Sequence, residues 1–249
     1  MRDRRKFGLI GKNIEYSFSR KYFLEKFSSD INLTGYNYEN FDIESINLIN
    51  SFISDKDLGG LNVTIPYKEE IIPYLDALTD EAKEIGAVNT ICFENNKKIG
   101  YNTDIFGFTE SLKVNSINNI KAMIIMGTGG AAKTIIHFCK KNKIPFNIVS
   151  RRKSKDYLSY KDIDHSFFKG NVLIVNCTPV GTYPNINKCP DLPYNLLEKE
   201  NILYDLVYNP SETLFIKKGK EIGCKTLNGY EMLKFQAEMS WNLWTKSLK

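Results

Sequence analysis

The chain has no apolar run near the roughly 20 residues needed to cross a bilayer, so a membrane-spanning helix is not expected. Its five cysteines, Cys92, Cys139, Cys177, Cys189 and Cys224, form no C-x-x-C pair. Neither a zinc site nor a disulfide framework is suggested, and they read as reduced thiols, mostly core fillers. Only two histidines occur, His137 and His165, and both read as structural or surface residues. Excess charge of one sign is also small. The net charge is +5 over 249 residues, without the patterned basic stripe of a nucleic-acid-binding protein. The densest basic cluster, Arg2 to Lys6, precedes an apolar stretch too short for a signal-peptide core, so a cytoplasmic location is expected.

Apolar residues make up 42% of the chain and charged residues 25%, the profile of a folded globular protein. At this length one large domain or two modest ones are expected. An acidic small molecule is a sufficient partner for the mild positive balance. No metal, nucleic-acid or membrane partner is indicated.

The first hundred residues alternate between strand-like and helix-like pieces. Lys6–Ile10, Tyr36–Ile43 and Gly60–Ile65 read as strands, Lys21–Phe27 and Ser45–Ile53 as helices. Pro66 ahead of Tyr67-Lys68-Glu69-Glu70 has the form of a helix start. Ala87–Glu94 and Lys98–Asn102 flank Asn95-Asn96-Lys97 as a hairpin, and Asp104 opens a helix reaching about Lys113. A polar stretch, Val114–Asn119, is a candidate edge between lobes. Beyond it Ala122–Met126, Phe146–Ser150, Val172–Asn176, Ile202–Leu206 and Cys224–Leu227 read as strands. Helices are expected over Ala131–Lys141, near Glu212–Lys220 and from Tyr230 to Lys246. Strands alternating with helices indicate an α/β fold with a parallel sheet covered on both faces.

The sharpest local signal is Met126-Gly127-Thr128-Gly129-Gly130-Ala131-Ala132. A buried strand runs into a glycine-rich turn and then a helix, the order of a dinucleotide-binding unit. Gly127 permits the tight turn, Gly129 admits a pyrophosphate, and the first helical N–H groups face phosphate. An NAD site usually has Asp or Glu at the end of the next strand. Here Ser150-Arg151-Arg152-Lys153 stands there, and guanidinium groups suit a 2′-phosphate. NADP is the expected cofactor, against the alternative of a solvated basic loop.

A hydride acceptor needs a proton for its developing alkoxide. Polar groups gather in Asn62-Val63-Thr64-Ile65-Pro66-Tyr67-Lys68, Gly86-Ala87-Val88-Asn89-Thr90 and Asn102-Thr103-Asp104. Each puts small amide or hydroxyl donors where a strand ends or a helix begins. By position alone Lys68 is a solvated lysine and Asp104 a helix N-cap. Ser17 and Ser19 are equally turn residues, and Asn62 and Asn89 satisfy backbone.

Taken in order, Ser17-Phe18-Ser19, N-V-T-I-P-Y-K, G-A-V-N-T, N-T-D, the Gly127–Ala132 turn, Asn176-Cys177-Thr178, Tyr204–Tyr208 and Gly229 through Ala237 resemble the shikimate dehydrogenase family over essentially the whole chain. The resemblance implies two α/β domains. Residues 1–104 would be an N-terminal substrate-binding α/β/α domain, to which the C-terminal helix, 229–249, returns. Residues 105–228 would be a Rossmann-type NADP-binding domain. It implies reversible NADPH-dependent reduction of 3-dehydroshikimate to shikimate, in a monomer or homodimer. The alternatives are a quinate/shikimate dehydrogenase of broader choice and a non-catalytic shikimate-binding regulator.

Carried over by position, Lys68 and Asp104 would be the catalytic pair. Ser17 and Ser19 would bind the substrate carboxylate, and Asn62, Thr64, Asn89 and Gln236 its hydroxyls or carboxylate, with Tyr208 nearby. Gly127, Thr128, Gly129, Gly130 and Ala131 would cradle the pyrophosphate. Ser150, Arg151 and Lys153 would surround the adenosine phosphate, and Thr178, Gly229 and Met232 would lie along the nicotinamide end. The chain departs from the family pattern at Arg20, where Pro is common, and at Phe18, where Lys or His is frequent.

Overall fold

The computed structural model describes residues 6–15, 17–53 and 57–247. Most of the basic cluster, Arg2 to Arg5, lies outside them. The chain divides into two compact units, residues 1–103 with 237–249, and residues 104–236.

In the first unit the elements are β1 (Lys6–Gly11), α1 (Phe18–Ser29), β2 (Asn37–Asp42), α2 (Asn50–Ile53), β3 (Leu58–Val63), β4 (Ala77–Leu78), α3 (Asp80–Ile85), β5 (Thr90–Glu94) and β6 (Lys97–Tyr101). The strands form one mixed sheet in the order β2-β1-β3-β5-β6-β4. β1 pairs in parallel with β2 and β3, whereas β5 is antiparallel to both β3 and β6. Asn95 and Asn96, both at positive φ (49° and 62°), turn the β5–β6 hairpin. Asparagine tolerates that region, and two such residues in a row match the strand twist.

Because strand side chains alternate, register sorts this sheet into two faces. Leu61, Val63, Ile10 and Ile91 join one buried cluster with Ile43, Ile49 and Ala82. Phe7, Leu9, Tyr38 and Cys92 join the other, with Phe23 and Phe27 of α1 and Ala237, Trp241 and Trp244 near the chain end. Gly60 pairs with Phe7 in register, and its missing side chain makes room for the Trp244 indole. That indole donates to the Ile91 carbonyl at 3.0 Å.

The second unit holds α4 (Asp104–Val114), β7 (Ala122–Met126), α5 (Gly130–Lys141), β8 (Phe146–Ser150), β9 (Leu158–Ser159), β10 (Val172–Asn176), β11 (Ile202–Asp205), α6 (Leu214–Ile222), β12 (Lys225–Leu227) and the opening of α7 (Tyr230–Ser247). Its sheet is parallel throughout, in the order β12-β11-β10-β7-β8-β9. Counted from β7 as the first strand, this is the 3-2-1-4-5-6 order of the dinucleotide-binding fold. β7, β10 and β11 are apolar along almost their whole length, as strands covered on both faces must be. Ile124, Met126, Ile174 and Leu203 pack with Phe168 and Phe215. Phe108 of α4 stacks on Tyr204 at 5.5 Å, and the Tyr204 hydroxyl donates to Ser111 at 2.7 Å.

Three expectations need correction. The helix predicted over Lys21–Phe27 extends over Phe18–Ser29. Ser45–Ile53 is broken into a 3₁₀ turn and the four-residue α2. No α-helix follows Pro66; residues 65–71 form successive turns leading to a 3₁₀ turn at Ile72–Tyr74. The reason is tertiary. The Lys68 carbonyl accepts from Val88 N–H at 2.7 Å, and the Tyr67 hydroxyl donates to the Ile43 carbonyl at 2.7 Å. A helical ladder would need that first carbonyl for itself.

Trp244 is fully buried among Phe7 and Phe23, with ring centroids at 5.0 and 5.4 Å. Trp244→Ala should lower the unfolding free energy by about 3–5 kcal/mol in urea titrations. A loss under about 1 kcal/mol would show that the indole does not close this core.

Candidate active site

In the first unit the polar residues foreseen from sequence lie on the sheet face that is otherwise aromatic. Leu9, Asn62 and Thr90 stand in register across β1, β3 and β5. Asn62 and Asn89 are buried, as are Thr90, Thr103 and Ser240. Buried amides and hydroxyls are tolerated only when paired, and these pair with one another. The Asn62 amide nitrogen donates to the Asn89 carbonyl at 3.1 Å and to Ser240 Oγ at 3.0 Å, and lies 3.2 Å from Thr90 Oγ1. Its oxygen accepts from the Tyr38 hydroxyl at 2.8 Å. Asn89 Oδ1 accepts from Thr103 N–H at 2.6 Å, and its amide nitrogen donates to Thr103 Oγ1 at 3.0 Å. Asn62 and Asn89 are thus both paired within one buried set.

Ser17 precedes α1 in extended conformation without a side-chain cap, and Ser19 is buried in the first helical turn. Burial pushes the Tyr38 phenol well above its ordinary pKa, and a hydrogen bond with Ser19 opposes the shift. Ser19, Tyr38, Asn62 and Asn89 therefore form one connected group. Phe18 stacks on Tyr22 at 5.4 Å, and Arg20 is exposed on α1. Thr64 follows β3 and is half-buried, its N–H donating to the Ile10 carbonyl at 2.8 Å. Lys68 sits half-buried in the turns beyond it.

In the second unit the carboxyl ends of β7 and β10 carry the glycine turn and Thr178. Between these neighbours the chain changes direction across the sheet, where ligands of open α/β sheets bind. Gly127 has φ +115°, which L side chains rarely adopt, and a Cβ there would stand 3.2 Å from Thr178 Cγ2. A Cβ on Gly129 would meet nothing within 4 Å, so the backbone is open on that side. Thr128 and Gly129 are exposed, Gly130 and Ala131 begin α5, and its first turn holds no acid. Free N–H groups at a helix start, unopposed by carboxylate, suit a pyrophosphate.

β8 runs parallel beside β7 and ends at Ser150, with Arg151 and Arg152 exposed just beyond. Lys153 forms an ion pair with Asp162 at 2.8 Å. That lysine, with Ser159, holds the Asp162 carboxyl down at about 2. No acidic residue ends β8, so the donor set fits a cofactor carrying a 2′-phosphate. His137 is buried in α5, and His165 lies 3.2 Å from Glu198.

Beside Thr178, at the ends of β10 and β11, lies a buried set whose members, Asn176 and Asp205, stand in the sequence motifs without a role assigned to them. Thr178 donates through N–H (3.1 Å) and hydroxyl (2.6 Å) to Asn176 Oδ1. The Asn176 amide nitrogen donates to Asp205 Oδ1 at 2.9 Å. Asp205 is wholly buried, and desolvation raises its carboxyl to about 6 against the pull of its donors Thr213, Val207 and Asn176. A single acid closing an apolar strand, Ile202-Leu203-Tyr204-Asp205, is the signal that could have found it. Gly229 packs on the same stretch, where a Cβ would collide with the Leu206 carbonyl. Tyr208 is half-buried three residues beyond Asp205.

Asp104 is the buried first residue of α4. Gly107 in that helix lies against the Met232 carbonyl and Gln236, and Met232 and Gln236 are themselves buried on α7. Among the described residues no helix is long and apolar enough to cross a membrane, and no cluster of three His, Cys, Asp or Glu could hold a metal.

Comparison with known proteins agrees with this geometry. Residues 9–91 match the family model for the shikimate dehydrogenase substrate binding domain. An NADP(+) shikimate dehydrogenase of Methanococcus vannielii is 38% identical over 96% of this chain and 90% of that protein. Shikimate dehydrogenase 1 of Peptoclostridium difficile superposes with TM-score 0.85 at 37% identity, over 97% of this chain and 92% of that one. The Thermus thermophilus enzyme, solved with NADP(H) and shikimate, gives TM-score 0.86 at 26% identity, over 97% and 93%.

Folding lifts the Asp205 pKa from 3.8 to about 6, so the folded state binds this proton more tightly than the unfolded one. The associated stabilisation is complete below the unfolded value and is lost as the pH rises through about 6. Urea unfolding from about pH 5 to about pH 8 should show Asp205→Asn gaining stability relative to wild type as the pH rises. A pH-independent difference would place the carboxyl at its ordinary value.

Proposed function

The chain belongs to the shikimate dehydrogenase family, and on that premise we propose that it catalyses the reversible NADPH-dependent reduction of 3-dehydroshikimate to shikimate. The observation that carries the cofactor choice is the pair of neighbouring strand ends, the open Gly127–Gly129 turn after β7 and Ser150-Arg151 after β8. A carboxylate at the second end would repel a 2′-phosphate; a guanidinium binds it in a bidentate manner. In this reading residues 1–104 with 229–249 serve the substrate and residues 105–228 serve NADP. The protein works in the cytoplasm as a monomer or homodimer.

NADPH, when bound, supplies the hydride. The chain's own part is to hold the ketone and protonate it. Ser17 and Ser19 take the carboxylate. Asn89, Thr64 and Gln236 take the ring hydroxyls, with Tyr208 nearby. Asn62 shares this role with Asn89, whose carbonyl accepts from its amide nitrogen. The Lys68 ammonium donates a hydrogen bond to the carbonyl oxygen and then a proton as the alkoxide develops, and Asp104 orients it. General acid catalysis of this kind contributes about 10²–10⁴ in rate. Gly127, Thr128, Gly129, Gly130 and Ala131 receive the pyrophosphate. Thr178, Gly229 and Met232 flank the nicotinamide. Arg151, with Ser150, takes the adenosine phosphate, and Lys153, tied to Asp162, closes the loop behind it.

Absorbance of the reduced nicotinamide, followed with shikimate and either NADP or NAD, tests the reading. Shikimate-dependent signal with NADP and much less with NAD is expected. Signal mainly with NAD would overturn the cofactor assignment, and quinate in place of shikimate tests the acid. Lys68→Ala should cut turnover by about 10²–10⁴ while the protein stays folded. Arg151→Ala should raise the KM for NADP by about tenfold, the effect of losing one charge-assisted contact, and leave the KM for shikimate alone.

A further inference from the structure

Asp205 ends β11 with a carboxylate that has no solvent exposure. Among the described residues its partners are hydrogen-bond donors rather than cations. Oδ1 accepts from the Asn176 amide at 2.9 Å and from Val207 N–H at 3.1 Å, and Oδ2 accepts from the Thr213 hydroxyl at 2.5 Å. Two arms run outward from Oδ1. Through Asn176 it reaches Thr178, whose N–H and hydroxyl both donate to the Asn176 oxygen, and Thr178 in turn lies against the Gly127 turn. Through Val207 it reaches Gly229, whose N–H donates to the Val207 carbonyl at 3.2 Å.

We propose that Asp205 is a positioning residue for the nicotinamide end of the cofactor site, fixing Thr178 through Asn176 and Gly229 through Val207. This rests on the NADP-dependent reading above, which puts Thr178 and Gly229 at that end. A carboxylate suits the task better than an amide. One oxygen takes two donors from different loops while the other takes a hydroxyl. Asparagine has a single acceptor oxygen, so either an arm or the Thr213 proton loses its partner. Thr213 Oγ1 already accepts from Ile216 N–H at 3.3 Å as the cap of α6, which aims its one proton at Asp205. Burying a charge without a counter-ion is costly, and stability alone would be served as well by apolar packing. What the carboxylate adds is a common anchor for two cofactor loops.

The test is calorimetric titration of the full chain with NADP and, separately, with an adenosine 2′-phosphate nucleotide that lacks nicotinamide. Asp205→Asn should weaken NADP by about tenfold, and the fragment by no more than about twofold, as expected for losing one buried charged hydrogen bond at one end of the ligand. Thr213→Val should weaken NADP in the same selective way by about threefold, with Thr213→Ser restoring it. The Thr213 pair decides the matter if Asp205→Asn does not fold. Equal weakening of both ligands, or unchanged binding of both in folded variants, would show that Asp205 is merely structural. Wild-type protein that binds no NADP would strike the functional reading itself, whereas normal wild-type binding with no split in the variants strikes this inference alone.

Discussion

Where a buried strand begins or ends the hydrogen-bond ladder stops, yet the adjoining peptide groups remain out of water and must still be paired. In this protein that constraint is met by side chains. Asn62 donates to the Asn89 carbonyl, Asn102 to the Ala87 carbonyl, and Asn176 to the Val180 carbonyl. Asn89, Asn176 and Asp205 accept N–H groups from Thr103, Thr178 and Val207. The residues proposed to bind and the strand-end caps are therefore the same or adjacent. The cost of leaving any of them unpaired keeps the loops they hold in one conformation.

The two units solve this with different chemistry. The first uses neutral amides and hydroxyls, with Thr90, Thr103 and Ser240 meeting at 2.8–3.1 Å. Such a set can both donate and accept, which suits a polyhydroxylated acid. The second uses one buried carboxylate as the hub for its loops. The surface proposed to face its ligand is made of backbone N–H groups and exposed arginines, which suits phosphate.

Much of the fold was legible because long buried strands and a glycine turn leave strong local marks. β7, β8 and β10 have the bounds that apolar run and turn residues indicate. The Asn95-Asn96 turn was readable for the same reason. The segment after Pro66 was not, since the hydrogen bonds that divert it come from Val88 and Ile43, about twenty residues away in either direction. Asn62 shows the same limit within the site. Its place in the N-V-T run marks it as a candidate, but only the folded sheet shows that it pairs with Tyr38 and Ser240.

The sequence alone determined the α/β class, the glycine turn between strand and helix, and the basic residues that stand beside it. Each depends on residues close together in the chain, namely the glycines of 127–130 and the arginines that follow β8. It also determined the family, through an ordered set of short motifs spread over the whole length. Tertiary structure decided how those motifs are joined. Asp205 is joined through Asn176 to Thr178 and through Val207 to Gly229, residues 27 and 24 positions away in opposite directions along the chain, and Ser240 lies 178 positions from the Asn62 it pairs with. Local propensity carries no information about such pairs. They are set by which buried polar atoms the folded sheets leave within reach of one another.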